Sequence, residues 1–489
     1  MIEQNNLDFS TAPKFFFDFE NEYVDKLIEI NYGDHNIWQI VKLNLYYTIL
    51  NSNGDDYGLS SKKNKLQKLK TKLKSLFTGT YNLIKLIITN YNSAPKILFV
   101  TNSVDRLSLK ENKYFSSLFD PILILAQKIK TKHWEYLSNE KFPSFSVPHN
   151  NIIFAETTGF KFIRNKKTAV DEAELFINIW NQFCKKQNVK TNITKEIIIL
   201  NCYKFYKHFK FWKFLFKMVK PKNIYSSEKV GTGFMAAANY LKISIYEFQH
   251  GNMDKYYPHY VWNSKFNNLK NNIKPDFLVL FGNVGKAIAT STNYYEAKEI
   301  FTIGYSKIDE YRNKKACNNG FVFFALQPMM HKLNIEIIKV IKHLSESFKI
   351  AVKFHPLQSD NEIQEYRLAL QNSRVTIFNK DKSVYDCILE SEIIISHVST
   401  VLEEALSLGK ISITISTESL PQGIHNMTGI DYLGEVIIPK RMDQIEEYLI
   451  AYFSNITFKR SELMKVKQFV YNLYEKNYEI NAIKILRNA

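Results

Sequence analysis

A histidine followed by a proline stands at the end of a short apolar run in the second half of the chain. Residues 350–352 are Ile-Ala-Val, and Lys353, Phe354, His355 and Pro356 follow them. Proline ends a strand and pushes the preceding residue into an extended conformation, which would fix the imidazole at the end of that strand. There His355 could donate a hydrogen bond to a phosphate oxygen, with Lys353 adding positive charge. The alternative is a surface histidine in a strand-ending turn.

Two hydroxyl residues follow the next long apolar run, residues 393–395. Ser399 and Thr400 open a predicted helix, and the free N–H groups and positive dipole end of such a helix suit a phosphate. Thr400 and Glu403 also have the spacing of a capping box, which would close an ordinary strand-to-helix turn. Glu404, one turn along, either reaches a ribose hydroxyl or is a solvated helix residue.

Two carboxylates and a histidine gather in the first half of the chain, after an apolar run at residues 243–246. Glu247, His250 and Asp254 lie within a few residues of each other, and Gly251 permits a tight backbone turn. Histidine has a pKa suited to a general base near neutral pH, so His250 is a candidate for proton transfer. The alternative is a structural histidine beside a turn.

These residues all follow predicted strands. Short apolar runs that end in polar residues recur at 96–101, 151–155, 223–225, 243–247 and 277–281, with helical stretches such as 233–241 between them. After a polar linker at 311–320 the alternation restarts, with strands at 321–326, 350–354, 375–377, 392–396 and 411–415 and helices at 333–348, 363–371, 383–389 and 401–408. Gln327 ends the first strand of this second series. Such alternation predicts parallel sheets covered by helices on both faces, with ligands at the carboxyl ends of the strands.

The predicted fold class is therefore α/β, with two Rossmann-like domains facing a cleft and a helical N-terminal segment. We expect residues 1–92 to form that segment, with a continuous helical pattern over 15–50, and to pack on the first domain. Residues 93–312 are predicted to form the first Rossmann-like domain. Residues 318–489 are predicted to form the second, with helices at its end.

The order Gln327-Pro328, His355-Pro356 and Ser399-Thr400 resembles that of bacterial capsule and surface-polysaccharide glycosyltransferases, including polysialyltransferases and Kdo transferases. The segments Gln249-His250-Gly251 and 304–309 are similar to a broader set of such proteins and to the polyol-phosphate polymerases of teichoic-acid synthesis. The resemblance covers roughly residues 221–410. The sialyltransferase families carry an Asp/Glu-Asp-Gly motif in the first domain, and this chain has Gln249-His250-Gly251 near that place instead.

The resemblance implies a GT-B fold and metal-independent transfer without a cofactor, from a CMP- or UDP-linked sugar as substrate. His355, Pro356, Ser399 and Thr400 would bind the donor phosphate, with Lys353 and Gln327 beside them and Glu404 at the ribose. The first domain would bind the acceptor, and His250 or Glu247, with Asp254 as a third choice, would deprotonate its hydroxyl.

The overall composition is that of a folded protein with an anionic partner. Hydrophobic residues make up 45% and charged residues 23% of the 489 residues, and the net charge is +17. The sequence predicts no membrane-spanning stretch, no signal peptide and no disulfide framework, which together indicate a cytoplasmic protein. No nucleic-acid module is recognisable, and we expect no nucleic-acid partner.

Two basic segments predict contact with an anionic membrane surface at the inner face of the cell membrane. Residues 62–74 read as a basic amphipathic helix, and residues 204–220 alternate lysines with aromatic residues. For the second segment, a core helix with a solvated lysine face and a nucleic-acid surface are the alternatives.

Four functions remain open at this point. The leading hypothesis is a glycosyltransferase that extends a capsular or surface polysaccharide on an oligosaccharide or lipid-linked acceptor. The others are a CDP-polyol phosphotransferase, a sugar-nucleotide epimerase, and a non-catalytic polysaccharide assembly protein of the same shape.

Overall fold

The computed structural model describes most of the chain. The described residues are 7, 11–52, 84, 87–89, 91–102, 108–110, 113–127, 129–137, 151–154, 170–251, 253–314, 318–327, 331–355, 358–379, 381–396, 399–415, 442–467 and 469–488. The predicted basic helix at 62–74 and Pro356 lie outside them.

The first sheet has seven parallel strands in the order β11-β10-β9-β8-β3-β6-β7. Its strands are β3 (Ile97–Asn102), β6 (Thr131–Leu137), β7 (Asn151–Phe154), β8 (Asn223–Ser227), β9 (Ser244–Phe248), β10 (Phe277–Leu280) and β11 (Ile300–Thr302). Two short antiparallel pairs lie outside it, β1 (Asn31–Tyr32) with β2 (His35–Asn36), and β4 (Ser108–Lys110) with β5 (Lys113–Phe115). Every residue of β3 and β8 is buried, as continuous apolar runs predict for strands covered on both faces.

The second sheet has five parallel strands in the order β14-β13-β12-β15-β16. They are β12 (Phe321–Ala325), β13 (Ile350–Lys353), β14 (Thr376–Ile377), β15 (Ser391–Ser396) and β16 (Ile411–Thr414). Because β12 lies between β13 and β15, the loops after these three strands are neighbours at one edge of the sheet.

The described helices connect and cover these strands. They are α1 (Ala12–Leu27), α2 (Ile37–Ser52), α3 (Asp120–Ala126), α4 (Val170–Lys186), α5 (Lys195–Val219), α6 (Thr232–Tyr240), α7 (Asn283–Thr290), α8 (Ser306–Arg312), α9 (His331–Leu344), α10 (Asp360–Ala369), α11 (Val384–Leu389), α12 (Thr400–Ser407), α13 (Met442–Ser454), α14 (Ile456–Lys467) and α15 (Tyr478–Asn488). None of the helices in the described residues is long and apolar enough to cross a membrane.

The N-terminal segment is two helices rather than one continuous helix. The hairpin β1–β2 separates α1 from α2, and Gly33, with a φ of 61°, makes its turn. The two helices are joined by a buried ion pair in which Lys42 Nζ lies 2.7 Å from Glu20 Oε2. The same Nζ donates to the carbonyl oxygen of Val261 at 3.0 Å, so the pair attaches this segment to the loop after β9.

The basic stretch at 204–220 forms most of α5 and contributes to the core. Phe205, Phe209, Trp212 and Phe216 are buried, and Trp212 and Phe216 pack their rings against Phe234 of α6. The lysines of the helix are partly or fully exposed. The core-helix alternative therefore describes the packing of α5.

The C-terminal segment returns to the first sheet. The backbone of Glu475 donates to the carbonyl oxygen of Phe281 at 2.8 Å, and Tyr225 Oη donates to the carbonyl oxygen of Ile485 at 2.9 Å. Gly282 and Gly304 allow this approach, because a Cβ at either position would meet backbone atoms of residues 472–475 at 2.5 Å or less. Arg312 donates to the carbonyl oxygens of Val470 and Tyr474 and holds the segment from the other side.

The predicted fold class is confirmed: the chain is α/β, with two Rossmann-like parallel sheets and a helical N-terminal segment. The strand β6 was not predicted, because its residues Thr-Lys-His-Trp-Glu-Tyr-Leu do not form an apolar run. In the sheet it nevertheless lies between β3 and β7. The three-residue strand β11 was not predicted either, because it is too short to show a pattern.

Candidate functional site

Three predicted donor residues follow adjacent strands of the second sheet. Gln327 follows the central strand β12, His355 follows β13, and Ser399 follows β15. A hydrogen-bonded chain joins these strand ends. Gln327 Nε2 donates to Ser396 Oγ at 3.4 Å, and the carbonyl oxygen of Gln327 accepts from Gln358 Nε2 at 3.3 Å. Gln358 Oε1 in turn accepts from the backbone N–H of His355 at 2.6 Å.

His355 is half-buried at this edge, and burial lowers the pKa of its imidazole. A neutral imidazole carries one N–H donor and one acceptor nitrogen at physiological pH. It can therefore donate to an anionic oxygen without carrying a full charge.

The amine of Lys353 is bound within the fold. Its Nζ donates to the carbonyl oxygen of Asn379, just beyond β14, at 2.9 Å. The side chain is buried, and this burial lowers the pKa of the amine. The contact supplies a structural role for Lys353 in joining β13 to the neighbouring loop.

The hydroxyl residues begin α12, but not as the capping box that the sequence predicts. The N-cap residue is Ser399, whose Oγ accepts from the backbone N–H of Val401 at 3.3 Å. Thr400 is the first residue of the helix and is exposed. The predicted Thr400–Glu403 box is wrong, because Ser399 and not Thr400 is the N-cap residue. A capping box with Ser399 would need a glutamate or glutamine at position 402, which is a leucine.

Glu404 is buried rather than solvated, so that alternative is wrong. Its Oε1 accepts a hydrogen bond from Tyr385 Oη at 3.1 Å, and burial raises the pKa of the carboxyl to about 7. Glu403 beside it is also buried, and burial raises its pKa well above the ordinary value. The N-terminal half of α12 thus places two carboxyl groups in the protein interior.

The first sheet presents a different arrangement at the end of β9. Glu247 is 2% exposed, and its Oε1 lies 3.1 Å from Nε2 of His259, in the loop beyond β9. Burial by itself would lower the pKa of His259, but the carboxylate of Glu247 outweighs burial with the help of Glu228, so the pKa is raised. Glu247 and His259 therefore form a buried ion pair.

Two further residues of this segment are also engaged by the fold. Gln249 Nε2 donates to the carbonyl oxygen of Gly251 at 2.7 Å, and its Oε1 accepts from the backbone N–H of Phe281 at 2.9 Å. Asp254 Oδ1 accepts from the backbone N–H of Tyr256 at 2.6 Å, and burial raises the pKa of this carboxyl to about 7. His250 is half-buried, so it is the most accessible of the three predicted proton-transfer residues.

Sequence reasoning missed Gln358, Tyr385 and His259. Gln358 follows the His-Pro pair by two residues, and a polar side chain so close to a predicted site was a usable signal. Tyr385 and His259 contact their partners across 19 and 12 residues, and no local pattern marks either one. Within the part of the chain that the structure describes, no three His, Cys, Asp or Glu side chains are grouped so that they could hold a metal ion.

The fold and the strand-end polar groups define a two-domain Rossmann-like α/β protein. No family model and no curated protein sequence matches the chain. Among solved structures, UDP-GlcNAc 2-epimerase from Neisseria meningitidis bound to UDP-GlcNAc is 12% identical, with a TM-score of 0.46, covering 80% of this chain and all of that one. The S. aureus MnaA–UDP structure is 12% identical, with a TM-score of 0.48, covering 81% of this chain and 97% of that one.

A polymerase and a glycosyltransferase are also among these structures. The wall teichoic acid polymerase TagF is 12% identical, with a TM-score of 0.46, covering 87% of this chain and 99% of that one. A glycosyltransferase from Rickettsia africae ESF-5 is 12% identical, with a TM-score of 0.46, covering 81% and 97%. At this identity the likeness concerns the backbone alone and assigns no activity to the chain.

Proposed function

We propose that the protein is a glycosyltransferase that moves a sugar from a nucleotide-activated donor to a surface-polysaccharide or lipid-linked glycan acceptor. The second domain, which contains β12 to β16, would bind the donor, and the first, which contains β3 and β6 to β11, the acceptor. The observation that carries this proposal is the hydrogen-bonded chain from His355 through Gln358 and Gln327 to Ser396. It holds the backbone of His355 at the sheet edge where α/β proteins bind ligands, and α12 begins after β15 at the same edge.

Phosphate binding would use two kinds of donor. His355 would donate through its imidazole N–H, and the first backbone N–H groups of α12 would donate along the positive end of the helix dipole. Charge would accumulate on the donor phosphate as the bond to the sugar breaks, so groups fixed there would stabilise the transition state. The hydroxyl of Ser399 caps this end of the helix, and Thr400 beside it is exposed.

Proton transfer from the acceptor hydroxyl would fall to His250. Glu247 is held by His259 in the interior, and Asp254 is 5% exposed, which leaves both poorly placed to meet an acceptor. A positioned general base contributes about 10²- to 10⁴-fold to a rate. His250→Ala should therefore lower transfer in that range and leave nucleotide binding intact.

Nucleotide binding provides the first experiment. The melting temperature of the protein should rise with CMP, CDP or UDP, and the responding nucleotide names the donor class. His355→Ala should remove the shift, and the exposed His343→Ala on α9 serves as a matched control that keeps it. An unchanged shift in His355→Ala would overturn the donor-site assignment, and no shift with any nucleotide would favour the non-catalytic assembly protein.

Product analysis then separates the enzymatic alternatives. A glycosyltransferase releases nucleotide only when an acceptor is present and attaches the sugar to it. A CDP-polyol phosphotransferase would release CMP and attach a polyol phosphate. An epimerase would change the donor sugar without any acceptor. Chromatography of the nucleotides with and without oligosaccharide acceptor distinguishes the three outcomes.

A further inference from the structure

The solvent face of α5 carries a row of lysines interspersed with rings. Lys207, Lys210, Lys213 and Lys217 follow one another at helical spacing, and no acidic residue occurs between positions 197 and 220. On the same helix Lys195 pairs with Glu174, whereas within the described residues none of the four lysines forms an ion pair. We call these four lysines, with Tyr206 and Phe214, the α5 ridge.

Rings lie against the lysines of the α5 ridge. Lys213 Nζ is 3.3 Å from the ring centroid of Tyr240, and Lys210 Nζ is 4.8 Å from that of Tyr206. Phe214 stands between these lysines with 44% of its surface exposed, and Tyr240 is 54% exposed. The rings that point inward are buried in the core and Tyr206 also packs on Phe209, whereas Phe214 and Tyr240 keep much of their surface exposed.

The loop before β3 extends the ridge at its C-terminal end. The backbone N–H of Asn92 donates to the carbonyl oxygen of Met218 at 3.0 Å, one helical turn beyond Phe214. Next to this contact Ile88 is 74% exposed and Tyr91 is 68% exposed. Lys132 Nζ donates to the carbonyl oxygen of Thr89 at 3.2 Å, which adds another cation at this end.

We propose that the α5 ridge, with Ile88, Tyr91 and Tyr240, is the surface by which the protein binds an anionic lipid bilayer. Exposed aliphatic and aromatic side chains suit the boundary between headgroups and acyl chains, and lysines attract anionic headgroups. All cations of the ridge are lysines, whereas arginine is the preferred residue for planar recognition of nucleic-acid phosphates. The inference is independent of the proposed sugar transfer.

The orientation of α5 is compatible with access to the site. The helix packs on α6, α2 and α4, and its last turn is hydrogen-bonded to residues 92–94, just before the amino end of β3. The candidate residues lie at the opposite, carboxyl ends. A bilayer on the ridge therefore leaves those ends uncovered.

Vesicle co-sedimentation tests the proposal with the full chain. The protein should bind vesicles that contain phosphatidylglycerol and not vesicles of phosphatidylcholine alone, and added salt should weaken the binding. The triple variant K210E/K213E/K217E should lower the partition coefficient about tenfold or more. The control K185E/K190E/K270E changes the net charge equally at exposed lysines elsewhere and should retain binding.

An uncharged pair of variants separates a specific surface from general attraction. Phe214→Ser should weaken vesicle binding, whereas Leu175→Ser, an exposed apolar residue on α4, should not. Equal loss in both lysine variants overturns the proposal, as does wild-type protein that ignores anionic vesicles. Binding to heparin or single-stranded DNA without vesicle binding would assign the ridge to a soluble polyanion instead. The nucleotide-induced melting shift, kept in all variants, separates this outcome from failure of the transferase proposal.

Discussion

The carboxyl ends of the two sheets hold similar residue types and use them differently. At the second sheet His355, Gln327 and Ser399 are half-buried, and hydrogen bonds through Gln358 and Ser396 join the ends of the three strands that they follow. At the first sheet Glu247 and Asp254 are buried and committed to His259 and to the backbone of Tyr256. Polar residues after a strand can thus remain accessible or become internal supports, and their burial distinguishes the two cases.

The largest effect should come from breaking the buried pair at the first sheet. Glu247→Ala would leave His259 in the interior without its carboxylate, and losing one partner of a buried pair costs about 3–5 kcal/mol. Urea unfolding measures this loss in the free energy of unfolding. Thr400→Ala at the second sheet removes an exposed side chain and should change the free energy of unfolding by less than about 0.5 kcal/mol.

The same pair has a defined pH dependence. Because the folded-state pKa of His259 is raised, its contribution is fully present below the unfolded pKa and is lost as pH rises through the folded value. The difference in unfolding free energy between wild type and His259→Gln should therefore be larger at pH 6 than at pH 9. A difference that grows with pH would show that the pair is not ionised as described.

The next effect compares one carboxyl from each sheet. Burial raises the pKa of both Asp254 and Glu404 to about 7, so the folded protein holds their protons more tightly than the unfolded chain does. Stability from these groups is present at low pH and declines as pH rises from about 4 to about 7. Asp254→Asn and Glu404→Gln should each reduce this decline, by about 2 kcal/mol, in unfolding experiments from pH 5 to pH 8.

Nucleotide binding then separates these two carboxyls. If Glu404 reaches the donor ribose, Glu404→Gln should reduce the nucleotide-induced melting shift, whereas Asp254→Asn should keep it. If the nucleotide-induced melting shift is the same in Glu404→Gln and in Asp254→Asn, Glu404 is a structural residue like Asp254. Its role is then the hydrogen bond that it accepts from Tyr385.

The smallest effect concerns the start of α12. Ser399→Ala removes the cap acceptor for Val401 N–H and should cost about 1 kcal/mol of unfolding free energy. Ser399→Asp should retain the cap and, because of its charge, weaken nucleotide binding. A Ser399→Asp protein that binds nucleotide as tightly as wild type would contradict a phosphate at this helix end.

The fold was predictable where the apolar runs are continuous. Strands such as β3, β12, β13 and β15 each contain an uninterrupted run of three or more buried apolar residues. The strand β6 was not predictable, because Lys132, His133 and Glu135 interrupt it. The hairpin β1–β2 was not predicted from the helical pattern over 15–50, because the residues on both sides of Gly33 are compatible with a helix.

The candidate site was predictable by position and not by exposure. The sequence places His355, Gln327 and Ser399 at strand ends, and the parallel order of β13, β12 and β15 then makes those ends neighbours. Whether Glu247 or Glu404 faces solvent depends on His259 and Tyr385. These partners belong to other elements, and tertiary packing sets the distance between each partner and its carboxyl group.

The return of the C-terminal segment to the first sheet bears on how the chain matures during synthesis. Tyr225 and Ile485, which share a hydrogen bond, are separated by 260 residues. On the ribosome, β10 and β11 emerge well before the residues that cover Phe281 and Gly304. Until Tyr474 has been synthesised, the rings of Phe281 and Tyr305 lack the ring that packs against them in the folded protein. The nascent first domain is therefore expected to recruit chaperones through this face, and ribosome-stalled chains ending before residue 469 should bind them more than released protein.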